Sequence, residues 1–470
     1  MYHSSNPLMR KDPDFHQLAL LRETFDTGRT RKVSWRRSQL LALEAFLIER
    51  EQDIASAVYD DFRKSKAEAF LTETGYLRGE IRFTLKHLAS WMKPHRVSIP
   101  LIYQPAKGYH IREPYGVVLV IGAWNYPLNL CLAPLISAIA AGNGVVVKPS
   151  EHAPNTSRII SEGLRQYLDR SAVSVIEGSV EKTKALLEEH FDYIFFTGSQ
   201  TIGREVMQAA AKHLTPLTLE LGGKCPCIVE ENVDLRVAAR RIVWAKFLNG
   251  GQTCIAPDYI LVHEKQEAEL LRHIQEAITH FYGDDPQSSP DYPRIINEHH
   301  FHRLEQLLAA SSPLKERKTD HHENYIAPTI LKDVAPDSEI MQSEIFGPLL
   351  PVISYTHLGE ALDIIQKNSK PLALYLFSSD PMVHERVVHQ SQSGGVCIND
   401  LLFHASCSRL PFGGTGNSGF GAYHGQAGFD TFSYQRSVLQ RSLFPDPDLR
   451  YPPYSNRKFW FLKRLVTFFH

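Results

Sequence analysis

The chain has 470 residues, 43% of them hydrophobic, enough for two large or about three ordinary domains around a sizeable core. Its 51 lysines and arginines nearly balance its 52 aspartates and glutamates, which argues against a nucleic-acid or acidic-surface binder driven by bulk charge and favours small-molecule chemistry. Six cysteines without regular spacing argue against a disulfide framework and predict reduced thiols in the cytoplasm; the start, MYHSSNPLMRKDPDFHQ, shows no apolar stretch of a secretory signal.

Along the chain, roughly the first 90 residues predict helices, because VSWRRSQLLALEAFLIEREQDIASAVYDDF repeats apolar residues at three- and four-residue spacing. VSIPLIYQPAKGYHIREPYG is proline-rich and extended, and predicts a hairpin arm that pairs subunits. Between residues 115 and 220 the β-branched runs GVVLVIGAW, GVVVKPS, SVIEGS, YIFFTGS and LTLELGG recur roughly every 25 residues, with helix-like stretches between them. This predicts a parallel sheet wound with helices, whose ligand lies at the carboxyl ends of the strands, at GAWNYP, KPSE, FTGSQTIG and ELGGK. From residue 221 a second α/β pattern follows, with strands expected at CIVE, YILVH, GPLLPVISY, LALYLFS and GVCIND.

Three residues stand out chemically. NGGQTC places Cys254 in a loop of small side chains after a helix, although a lone cysteine is more often a small buried hydrophobe. Glu220 closes a strand before two glycines, where its carboxylate faces a crevice. Asn125 closes another strand, either as an amide donor to an oxyanion or as an N-cap of the next helix. Gly414, Gly416 and Gly419 satisfy G-x-G-x-x-G, but no strand leads into them, so they are not the dinucleotide fingerprint. Cys225 and Cys227 lack a second ligand pair at zinc spacing, and no metal site is expected.

WNYP, KPSE, FTGSQTIG, LELGGK, GQTC, EIFGP and LPFGGTGNSGFGAYHG, in that order and over nearly the whole chain, resemble the NAD(P)-dependent aldehyde dehydrogenase superfamily. The compact length, YHG and the tail RKFWFLKRL resemble its class 3 and fatty aldehyde dehydrogenase branch. The resemblance implies an α/β fold in which residues 1–95 and 113–220 form a Rossmann-like NAD-binding domain and 221–398 a second α/β catalytic domain. It further implies a small β oligomerisation arm at 96–112 and 425–440, a glycine-rich active-site loop at 399–424 and a tail at 441–470. It implies Cys254 as nucleophile, Asn125 as oxyanion donor and Glu220 as the base that activates hydrolytic water. Trp124, Lys148, Glu151, Gly198, Ser199, Gly203, Leu221, Glu344 and Phe346 are the implied cofactor contacts. NAD is the implied cofactor, with NADP also usable, and the implied substrate is a medium- or long-chain aliphatic aldehyde. An aromatic aldehyde or a semialdehyde is the alternative, and a scaffold without turnover the second. His424 in YHG is expected either to hold the glycine-rich loop or to be plainly structural. A Ser or Asn is usual where Cys225 stands, and the extra thiol predicts sensitivity to oxidation.

In the tail, Phe461, Leu465, Phe468 and Phe469 fall at helical spacing opposite Lys463, Thr467 and His470. This predicts an amphipathic helix too short for a bilayer, which needs about 20 apolar residues. It is expected to cap the substrate tunnel, pack on the partner of a homodimer, and give at most weak peripheral membrane contact.

Overall fold

A computed structural model describes residues 13–100, 103–315 and 318–469. The proline-rich stretch folds into β1 (His95–Val97) and β2 (Ala106–Pro114), an antiparallel pair. Five strands follow: β3 (Val117–Ile121), β4 (Gly144–Lys148), β5 (Val173–Val175), β6 (Tyr193–Gly198) and β7 (Leu217–Leu221). They are parallel, in the order β7-β6-β3-β4-β5. Every residue of β3 and β4 is buried, as a sheet covered by helices on both faces requires, and this is why the runs VVLVI and GVVVK carry no polar alternation.

The second sheet is built from β8 (Pro226–Val229), β9 (Tyr259–His263), β12 (Thr329–Leu331), β13 (Leu349–Tyr355), β14 (Ala373–Phe377) and β15 (Gly395–Ile398). Its order is β12-β13-β9-β8-β14-β15, all parallel. Between β9 and β12 lies a short hairpin of β10 (Thr319–Asp320) and β11 (Tyr325–Ile326). Strand β16 (Gly419–Phe420) returns to the first sheet and runs antiparallel to β7, setting Gly419 opposite Glu220. A Cβ on Gly419 would sit 1.9 Å from the Leu219 carbonyl oxygen, so the glycines of this loop serve close backbone approach to β7.

Strand β17 (Ser433–Arg441) pairs with β2 along nine residues, completing a three-stranded sheet with β1. Of the stretch 425–440, only the part from Ser433 is strand; Gly425–Thr431 is a helix. Its Gly428 lies against Ser137 of the helix Asn129–Ala141, where a Cβ would stand 2.2 Å from the hydroxyl, so this turn belongs to the body and not to an arm.

The tail does form a helix, Asn456–Phe469. Its partly buried positions are Lys458, Leu462 and Leu465, while Phe461 is 44% exposed. The inward face is therefore rotated from the expected one, because Lys458 Nζ is held by Asp448 Oδ2 and the Tyr451 carbonyl. His470 and the side chains of Phe468 and Phe469 lie outside the described residues, as do positions 1–12 of the first domain and 101–102 of the arm.

Candidate active site

The helix Leu235–Phe247 ends in a short reversal where Asn249, Gly250 and Gly251 have φ of 53°, 62° and 77°. Three consecutive left-handed residues suit glycine and asparagine alone. At Gly251 a Cβ would also stand 2.3 Å from the Gly347 carbonyl oxygen. The Asn249 side chain donates to the carbonyls of Asn125 (2.7 Å) and Gln252 (3.1 Å). Gln252 donates to the carbonyls of Asn249 and Arg294 and accepts from the Ile296 N–H. The next residue, Thr253, meets the Tyr126 hydroxyl at 2.6 Å, and Tyr375 donates to the Ile255 carbonyl at 2.6 Å. The loop is thus clamped on both sides of Cys254, whose thiol is left at a cleft surface.

That cleft, about 780 Å³, opens where the strand order of the first sheet reverses, at the carboxyl ends of β3 and β6. Of the residues expected from the sequence, Trp124, Asn125, Gly198, Ser199, Glu220, Cys254, Glu344 and Phe346 line it. Ser199 is the N-cap of the helix Gln200–Ala211 and accepts the Ile202 N–H; Gln200 and Thr201 lie on the wall, so a helix N-terminus faces the cleft. Asn125 is not an N-cap. Its amide donates to the Gln252 carbonyl at 3.1 Å, and the next helix begins only at Asn129.

Four expected contacts do not line the cleft. Gly203 and Leu221 pack on each other behind it, where a Cβ on Gly203 would stand 2.8 Å from Leu221 Cδ2; the glycine brings helix and strand together. Lys148 and Glu151 sit at the end of the neighbouring strand, with Lys148 Nζ 2.7 Å from the Pro149 carbonyl and 3.3 Å from Glu151 Oε2.

Burial dominates the electrostatics. Both oxygens of Glu220 are buried without a hydrogen-bond partner, and desolvation raises its pKa well above the carboxylate range. Glu344 tucks beneath the turn after β7, where a Cβ on Gly222 would fall 1.9 Å from Glu344 Oε2. Burial, with Asp258 nearby, pushes Glu344 up to about 8. The Cys254 thiol is raised by burial first and then by Glu344 and Glu220, while the N–H groups of Cys254 and Ile255 pull the other way. His424, stacked on Phe412 at 5.5 Å, is lowered to about 3 by burial and is therefore a neutral wall of the loop. Cys225 is fully buried, and its thiol donates to the Cys254 carbonyl at 3.5 Å.

Some cleft residues were not among the expected contacts. Lys224 lies on the wall and bridges Asp258 Oδ2 (2.5 Å) to the carbonyls of Ile340 and Ser343. Asp258 in turn accepts the Ile345 N–H at 3.0 Å, so this pair fixes the segment bearing Glu344. Arg303 donates to the Ile345 carbonyl, and the His300 ring packs at a tilt on Trp124, centroids 5.0 Å apart. Lys224 stood in a quoted motif, but its partners come from distant segments. Among the described residues no group of three or more His, Cys, Asp or Glu could hold a metal.

The aldehyde dehydrogenase family model matches residues 18–438. The chain belongs to the aldehyde dehydrogenase family. It is 48% identical over 449 residues to human aldehyde dehydrogenase family 3 member B1, covering 95% of this chain and 96% of that protein. It is 47% identical over 444 residues to rat aldehyde dehydrogenase family 3 member A2, covering 94% of this chain and 92% of that protein. The substrate-bound structure of Staphylococcus aureus AldH superposes with a TM-score of 0.94 at 43% identity, covering 96% and 99% of the two chains. An NAD-dependent aldehyde dehydrogenase from Sinorhizobium meliloti superposes at 0.84 and 26% identity, over 93% of this chain and 88% of that one. The activity is NAD(P)-dependent oxidation of aldehydes, in the family 3 branch that the tail and YHG resemble. The cleft fits a dinucleotide: its helix N-terminus suits a pyrophosphate, Trp124 and Phe346, packed edge to face with centroids 5.4 Å apart, give it an apolar wall, and buried Glu344 Oε1 is unpartnered.

Proposed function

We propose that this aldehyde dehydrogenase oxidises medium- and long-chain aliphatic aldehydes to carboxylic acids through a covalent adduct on Cys254. The observation that carries the residue roles is the convergence of Cys254, Asn125 and the unpartnered Glu220 carboxyl on one cleft. Cys254, once deprotonated, adds its sulfur to the aldehyde carbon. The second N–H of the Asn125 amide, whose first is held by Gln252, and the Cys254 backbone N–H donate to the resulting oxyanion. When bound, the oxidised nicotinamide supplies the hydride acceptor that turns this adduct into a thioester. Glu220 then takes a proton from water, whose oxygen attacks the thioester carbon, and Cys254 leaves as thiolate. Gly198, Ser199 and the helix behind them hold the pyrophosphate, and Glu344 with Phe346 the nicotinamide half. Lys148 and Glu151 receive the adenosine ribose beyond the cleft; Glu151 favours NAD over a 2′-phosphate.

The substrate preference rests on the tail. Four basic and no acidic residues accompany exposed Phe459, Trp460 and Phe461 on the helix Asn456–Phe469, an apolar surface suited to covering a chain-binding tunnel in a homodimer paired through the β1-β2-β17 edge. We place the enzyme in the cytoplasm with at most weak peripheral membrane contact; among the described residues no helix is long and apolar enough to cross a membrane. NADH formation with aliphatic aldehydes from short to long, plus benzaldehyde, tests this reading. A peak at long chains supports it, and best turnover on benzaldehyde removes the chain-length preference.

A further inference from the structure

Histidines gather where the helix Glu298–Ala309 meets the turn joining β10 to β11. His300 faces the cleft, whereas His302 is exposed and its Nε2 stands 3.3 Å from Nε2 of His321 in that turn. The two rings are tilted by 36° with centroids 5.0 Å apart, so nitrogens and not ring faces approach. Phe301 packs edge-on against His321 at 5.5 Å and holds it in place. On the far side of His302, Nδ1 lies 3.6 Å from Glu305 Oε2.

Two nitrogens bound at about 2.0–2.1 Å to one tetrahedral ion stand about 3.3–3.4 Å apart. The separation of His302 and His321 already matches that edge. The Glu305 carboxylate stands on the Nδ1 side of His302, so Nε2 is the nitrogen that faces His321. A direct imidazole pair would need one ring to turn an N–H toward the other; a cation replaces that proton and satisfies both lone pairs. We propose that His302 and His321 form a two-histidine site for a borderline divalent transition metal such as Zn²⁺ or Ni²⁺, with water completing the shell.

Such an ion ties the cleft-wall helix to the hairpin turn. The turn is bound through Asn324, whose carbonyl accepts the Ile295 N–H at 3.0 Å, and through Glu323, which pairs with Arg294 at 2.6 Å. Arg294 in turn gives its carbonyl to Gln252, two residues from Cys254. The ion therefore braces two supports of the cleft without touching its chemistry.

The test is calorimetric titration of the full-length enzyme with Ni²⁺, comparing wild type with His302→Gln and His321→Gln. Each variant should lose one site of near-unit stoichiometry, with affinity falling at least tenfold, while Tm and NADH turnover without metal stay at wild-type values. Unchanged stoichiometry and affinity in both variants, or no Ni²⁺ binding by the wild type, would overturn the proposal. His322→Gln, whose ring lies 6.0 Å from His321, should keep the site, and loss there instead would also overturn it.

Discussion

Cys254 and Glu220 are both held above their ordinary pKa by burial, and in the proposed mechanism both act after losing a proton. Aldehyde oxidation should therefore rise as the pH is raised through and above neutrality, a limb that pH profiles of kcat and kcat/KM will show. Cys254→Ser should abolish NADH formation. Glu220→Gln should leave the first turnover, visible as a burst of NADH, and slow steady hydrolysis by about two to four orders of magnitude. Absence of a burst would move the role of Glu220 to an earlier step. A different residue links pH to stability. Glu68 is raised to about 7 by burial, yet its Oε1 accepts the Asn249 N–H at 2.8 Å. Below its unfolded pKa, near 4.3, both states hold the proton; between there and about 7 only the folded state does, so stability falls as pH rises. Glu68→Gln should flatten Tm between about pH 5 and 7.5.

Among the elements, the left-handed reversal before Cys254 tolerates least change. Gly251→Ala puts a Cβ against the Gly347 carbonyl at positive φ, and should cost about 1–3 kcal/mol of stability and most of the activity. Chemical denaturation and the alkylation rate of Cys254 measure the two effects. The sequence marked this loop as small and glycine-rich but could not show that Asn249 and Gln252 clamp it, since their partners lie at Asn125, Arg294 and Ile296. The tail helix was legible from its 3.6-residue pattern; the direction it faces was not, because the Lys458–Asp448 contact turns it. Deleting residues 457–470 should weaken hexadecanal more than hexanal, and an equal loss on both with the fold intact would remove the proposed gate.

Across the whole molecule, one cleft gathers residues from the strand ends of the first sheet, from loops and a helix of the second α/β unit, and from the loop carrying β16. Ligand binding there should stabilise the whole chain: NAD⁺ at about 100 times its Kd adds about 2.7 kcal/mol to unfolding, read as a rise in Tm. The same addition should change the rate at which Cys254 alkylates while the buried Cys131, Cys225 and Cys227 stay slow. Light scattering should report about twice 53.3 kDa for the proposed dimer.

The sequence by itself predicted the first parallel sheet, because buried strands carry unbroken apolar runs such as VVLVI, and it singled out Cys254 and Glu220 through motif order. The tertiary structure alone decided which neighbours meet them. It sets Gly203, Leu221, Lys148 and Glu151 off the cleft wall and brings Lys224, Arg303 and His300 onto it. It also raises the pKa of Glu220 and Glu344, since a pKa follows from burial and from charges brought together across distant segments, which no local pattern encodes.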